Sequence, residues 1–135
     1  MLKMLSSLIT AMAGYSLLLW APHAGAHHSF AMFDFQRDVT LLGTVKEFQW
    51  GNPHVFVDLL VPGESGVGVW SVELTSPSHL VRNGWKPTTL RPGDQVSIVI
   101  HPLRDGRSGG TYVSGTRANG SPVVEPAAGA AGVKP

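Results

Sequence analysis

The chain has 135 residues, no cysteine, ten lysines and arginines against nine aspartates and glutamates, and a formal charge of +1 with its histidines neutral. The missing thiols exclude disulfides, zinc-thiolate sites and thiol redox chemistry, so a chain of this composition has to be held together by packing. The balanced charge, with no basic run, lacks the electrostatic footprint of a nucleic-acid binder and argues equally against an anionic membrane surface.

The first stretch differs from the rest. Lys3 is followed by Leu5 to Trp20, apolar apart from scattered Ser and Thr, which is the pattern of a secretory signal peptide. The run is shorter than the ~20 residues a spanning helix needs, and Pro22 breaks it just before Ala24-Gly25-Ala26, an A-x-A processing site. Cleavage after Ala26 would leave His27 as the first residue of a periplasmic or secreted protein with no stable membrane insertion; the alternative is an uncleaved anchor. Residues 1–26 therefore read as signal peptide, 27–124 as one domain, and 125–135 as a disordered Ala/Gly/Pro tail. Loss of Lys3 brings the charge to about zero, and roughly 109 residues suffice for one modest core.

Val39 to Trp50 is rich in β-branched and aromatic residues and predicts one long strand, with Gly43 marking a bulge or sharp bend. Gly51-Asn52-Pro53 is turn chemistry. From His54 to Val61 the residues alternate, Val55, Val57, Leu59 and Val61 on one face against His54, Phe56 and Asp58 on the other. After the loop Pro62 to Gly66, Val67 to Thr75 alternates again, with Trp70, Val72 and Leu74 opposite Ser71 and Glu73, so the two strands predict a hairpin.

Ser76-Pro77 has the form of an N-cap with proline at the first helical position, and Asn83-Gly84 supplies a stop, which predicts a short helix over Ser76 to Asn83 docked by Leu80 and Val81. Arg91-Pro92-Gly93-Asp94 turns the chain into a strand, Gln95 to His101, with Val96, Ile98 and Ile100 on one face. Thr111 to Arg117 is a weaker strand, returned through Ala118-Asn119-Gly120 to Ser121–Val124. Three strands, a short helix between the third and fourth strands, then two or three more strands describe a mostly β, OB-like barrel of five to six strands. A small open sandwich is the other architecture compatible with this order.

His27-His28-Ser29-Phe30, Trp50-x-Asn52-Pro53-His54, Ser76-Pro77, Gly84-Trp85, Pro92-Gly93-Asp94 and Asp105-Gly106 occur in that order. Over His27 to about Val124 the chain thereby resembles the domain-of-unknown-function family 6152 of small exported proteobacterial proteins. It departs in having Gly51 where a polar residue such as Thr is expected, and in its extended tail. The resemblance implies an exported compact β domain and brings no activity with it, so chemistry has to be argued from the residues.

His27, once exposed by processing, presents an α-amine and an imidazole able to chelate one metal ion, and His28 adds a third nitrogen. Among divalent first-row metals such nitrogen sites hold Cu²⁺ most tightly, with zinc or nickel behind. Both ligand types must be deprotonated, and with an α-amine near ~8 and imidazole near ~6.5, affinity rises across the neutral range. In an OB-type barrel the loops bearing His54 and following His101 border the ligand surface, and the ten-residue lead from His27 to Gln36 spans up to ~33 Å. His27, His28, His54 and His101 are therefore the candidate metal ligands. The plainer alternative makes His27 and His28 a solvated terminus and His54 and His101 ordinary strand ends.

Other constellations are weaker. His79, near the start of the predicted helix, reads as neutral and structural because the helix dipole disfavours a cation there. Asp58 and Glu73 share the outward faces of two strands, but a glycosidase-like pair needs a cleft and a raised pKa. Gly63-Glu64-Ser65-Gly66 has the wrong spacing for a nucleophile elbow, and no glycine-rich phosphate loop follows a strand. Trp50, Phe56, Trp70 and Trp85 can line a stacking surface for a sugar or other flat ligand, with Trp70 and Trp85 placed in the core and Phe56 exposed. The reading is a non-enzymatic exported binding module handling copper through His27, His28 and either His54 or His101. The alternative is an interaction domain that docks an exported protein or glycan through the face of the second and third strands.

Overall fold

The computed structural model describes residues 30–124. The signal peptide, His27, His28 and the tail 125–135 lie outside the described residues. A 3-10 turn at Phe30–Met32 leads into β1 (Val39–Gln49), β2 (Phe56–Gly63), β3 (Gly66–Glu73), α1 (Pro77–Arg82), β4 (Gln95–Pro102) and β5 (Gly109–Arg117). The strands close in the order β1-β2-β3-β5-β4, the five-stranded Greek-key arrangement of an OB-type barrel. The open sandwich is excluded, because β1 pairs with both β2 and β4 and the sheet has no ends.

β1 is long because it serves two neighbours. Val39–Thr44 pairs with β4 and Thr44–Gln49 with β2. A Cβ on Gly43 would sit 2.7 Å from the Leu60 carbonyl oxygen, so the bend needs a residue without a side chain there. The break in register falls further on, between Val45 and Glu47. Val45 turns aside there, donating to Asp94 O at 2.8 Å and accepting from Gly93 N at 2.8 Å. The bulge is set by that turn, which Gly43 itself does not announce.

The β2–β3 hairpin runs in register from Phe56↔Glu73 to Gly63↔Gly66, so its loop is only Glu64-Ser65, with Gly66 at φ 111° taking the positive-φ position. The strands thus extend into the segment that composition alone reads as loop, since Pro62 sits where no ladder N–H is required. β3 meets β5 in parallel only over Ser71–Glu73. No sixth strand forms among the described residues; Pro122 makes a single bridge to Thr116, while Val123 donates to Gly115 O at 2.9 Å and buries its side chain.

The inward positions of the alternating strands form the core: Leu41, Val45, Val57, Leu59, Val72, Ile98 and Ile100 are all 5% exposed or less. Each such side chain contributes about 1.5–3 kcal/mol of transfer free energy. α1 buries Leu80 and ends in a Schellman motif, with Trp85 N bonded to Leu80 O and Gly84 N to Val81 O, both at 3.1 Å. Val81, expected to help dock the helix, is exposed, because six residues present only one inward position. Ser76 holds the N-cap position without a side-chain cap bond. No helix among the described residues is long and apolar enough to cross a membrane.

Candidate functional site

The segment ahead of β1 is strapped along the end of β4. Phe33 bridges Leu103, Arg104 N donates to Met32 O at 2.9 Å, and Asp34 N to Pro102 O at 2.8 Å. This places the start of the described chain beside the β4–β5 loop, where Met32, Phe33, Leu103 and Arg107 meet Phe56, Ser71 and Glu73 of the β2–β3 outer face around a groove of about 330 Å³. A second depression, about 410 Å³, is floored by the β1–β2 loop from Trp50 to His54, and Phe56 borders both.

His54 stands between them. Its Nδ1 is hydrogen-bonded to Glu73 Oε1, and a carboxylate oxygen accepts, so the imidazole donates. The His54 side chain is 36% exposed and that of Glu73 13%. Phe56 opposes Glu73 in the hairpin register, and His54, two residues earlier on the same outward face, curls over to reach it. Asn52-Pro53, whose peptide is cis, precedes it in the loop.

His101 is held in the same manner by different groups. Its Nδ1 lies 3.0 Å from Asp38 Oδ1 and 3.2 Å from Arg37 O. Both are acceptors, so one N–H is shared between them. Phe35 meets the ring edge-on with centroids 5.1 Å apart, and the side chain is 23% exposed. Each histidine therefore has its Nδ1 committed to a carboxylate and its Nε2 without a partner among the described residues. That is the arrangement by which carboxylates fix the tautomer and aim of metal-binding imidazoles.

The two rings are held by separate partners, Glu73 for His54 and Asp38 with Arg37 for His101. Glu73 pairs with Thr111 and Thr111 with His101, so the backbones of Glu73 and His101 stand two strand spacings apart, about 10 Å. Among the described residues no three His, Asp or Glu groups gather as a metal site; His27 and His28 lie outside them. His79 is exposed on α1, its carbonyl accepting from Asn83 Nδ2 at 2.9 Å. It stands on the helix surface and takes no part in the core.

Asp58 and Glu73 do not pair. Asp58 opposes Ser71 and accepts from Gln49 Nε2 at 3.4 Å, and Glu73 is taken by His54. The aromatic residues are divided as well. Trp85 is 6% exposed and stacked edge-on against Tyr112, Trp50 packs on Phe48 with centroids 5.7 Å apart, and Trp70 borders a separate cavity with Val39 and Pro102. Phe56 and Trp50 share a depression. The orienting roles of Glu73 and Asp38 escape a linear reading. For Glu73 the signal was present: a two-residue hairpin loop at Glu64-Ser65 fixes Phe56 opposite Glu73 and brings His54 within reach.

A sequence profile described as a family of unknown function (DUF6152) matches residues 16–113. No curated protein matches the chain. Among solved structures, the mitochondrial single-stranded DNA binding protein Rim1 from S. cerevisiae is similar at 9% identity and a TM-score of 0.46, over 61% of this chain and 93% of that one.

Proposed function

This chain belongs to DUF6152, a family of unknown function, and we propose that its processed form is an exported binding module that holds a copper ion. The ligands in this reading are the α-amine and imidazole of His27, the imidazole of His28 and the Nε2 of His54. The observation that carries it is the His54–Glu73 hydrogen bond, which leaves the Nε2 lone pair for a ligand. Met32 lines the same groove as Glu73, and the five residues from His27 to Met32 span at most roughly 17 Å. His101 is the competing partner; its ring is more enclosed, with Arg37 and Asp38 crowding Nδ1.

The test begins with the intact mass of the exported protein, which reports whether the mature chain starts at His27. Cu²⁺ is then titrated into metal-free protein beside His27→Ala, a variant with one extra residue before His27, His54→Ala and His101→Ala. The expected result is submicromolar 1:1 binding, abolished by the extra residue, weakened by His54→Ala and untouched by His101→Ala. Glu73→Gln keeps the shape but loses the carboxylate acceptor, and should weaken binding about 10–100-fold. Binding retained by both N-terminal variants sinks the site.

A second reading rests on the far end of the β2–β3 outer face. Leu60 and Val69 oppose each other there, and Leu60, Val67 and Val69 are 36%, 66% and 45% exposed. Such a patch suits docking of an exported protein or glycan. Val69→Lys should abolish co-purification of that partner while leaving copper binding intact.

A further inference from the structure

On the other side of Leu103 and Arg107 lies a cavity of about 280 Å³, walled by Arg37, Arg104 and Arg107 and closed by Trp70 and Val39, with Asp34 the single acidic group in its lining. Three guanidinium groups against Asp34 and the Asp105 carboxylate that pairs with Arg107 leave one positive charge in excess, in a mature protein whose overall charge is about zero. The donors are only partly used. Arg104 Nε donates to Phe33 O at 3.0 Å, which fixes the plane of its guanidinium, and its contact with Asp34 is long at 3.8 Å. Arg107 Nε is taken by Asp105 at 2.7 Å, leaving its terminal amino groups. The Arg37 side chain has neither a hydrogen bond nor an ion pair among the described residues.

Trp70 supplies the second element. It is one of the inward-facing residues of β3, packed against the core yet not fully buried, because the β3–β5 ladder begins only at Ser71 and leaves the strand open before it. Trp70 in the same lining as three arginines puts an aromatic wall and planar charged forks around one cavity. Forks of this kind match a carboxylate in bidentate geometry, and the indole takes the face of a ring. The volume is just under that of typical drug-sized pockets, enough for one substituted six-membered ring.

We infer that this cavity is a binding site for a small ring-bearing carboxylate, its acid group held by Arg37 and Arg104 and its ring laid on Trp70. Two sources share that chemistry: an acidic sugar of the uronate type and an aromatic acid. The site is independent of the copper reading, since none of its groups is among the proposed metal ligands.

The test uses the mature protein with chelator present, so that failure of copper binding has no bearing on the result. Glucuronate and benzoate are titrated by calorimetry, beside their neutral counterparts glucose and benzyl alcohol, and beside inorganic phosphate. At least one carboxylate should bind 1:1 at millimolar or tighter affinity and quench tryptophan fluorescence. Its neutral counterpart should bind at least tenfold more weakly, and added salt should weaken the interaction. Arg37 is exposed, so Arg37→Gln should leave the unfolding midpoint unchanged and weaken binding at least tenfold; Arg104→Gln, which also gives up the bond to Phe33 O, should weaken binding at least as much. Response to glucuronate alone assigns the sugar acid, and response to benzoate alone the aromatic acid. Absence of binding by both acids, equal binding of the neutral compounds or of phosphate, or full retention by Arg37→Gln overturns the site.

Discussion

Tyr112 packs edge-on to Trp85 with ring centroids 5.3 Å apart, and burial pushes its phenol up to about 12. The folded state thus favours the neutral phenol. This contribution is fully present below the unfolded value near 10 and is lost as pH rises from there through about 12, because the unfolded chain ionises first. Of the two tyrosines, Tyr15 lies in the predicted signal peptide, so a chain cleaved after Ala26 would carry one phenol. Its absorbance titration should show a single midpoint well above 10, falling to the ordinary value in denaturant; a midpoint near 10 in the native protein would contradict the packing around Tyr112. At the same scale, His54 and His101 were readable as histidines near the ligand loops. The partner of His54 follows from the hairpin register alone, but that of His101 does not, because Asp38 is brought to it by the strap ahead of β1.

At the scale of elements, the helix stop is the clearest case of local sequence deciding local structure. Asn83-Gly84 signals a C-terminus, and Gly84 adopts φ 85° so that the Schellman bonds can close. Gly84→Ala places a side chain in left-handed backbone and within 3.1 Å of Val124 Cγ1. It should cost about 1–2 kcal/mol, seen as a lower denaturant midpoint with the slope unchanged. The hairpin was equally legible: the alternation of His54 to Val61 and Val67 to Thr75 sorted inward from outward residues correctly, since a half-buried strand has period two. The last segment, Ser121–Val124, is a candidate strand by sequence and forms a single bridge. It is too short to build a ladder, and the barrel is already closed by β4 and β5.

At the scale of the molecule, closure depends on Gly110, where β5 is paired on both sides, with Val72 of β3 and Pro102 of β4. A Cβ there would lie 2.4 Å from His101 O and 2.8 Å from Ile100 Cδ1. Backbone cannot yield as a flexible side chain would, so Gly110→Ala should destabilise by about 3 kcal/mol. Chemical unfolding of the variant measures it, and a loss under 1 kcal/mol would show that the β3–β5 junction relaxes freely.

The fold class, the order of strands and helix, and which strand residues face the core are legible in the chain itself, because they follow from periodicity, turn chemistry and caps along a short stretch; the helix position Val81, which turned out exposed, is the exception. The sequence also placed Phe56, His54 and His101 on the outside. That β1 serves two neighbours, that β3 meets β5 over three residues and leaves Trp70 short of full burial before them, and that Arg37, Arg104 and Arg107 line one cavity with that indole are set by the closed barrel. These depend on barrel closure and strand stagger, which join residues far apart in the chain and leave no periodic trace in the sequence.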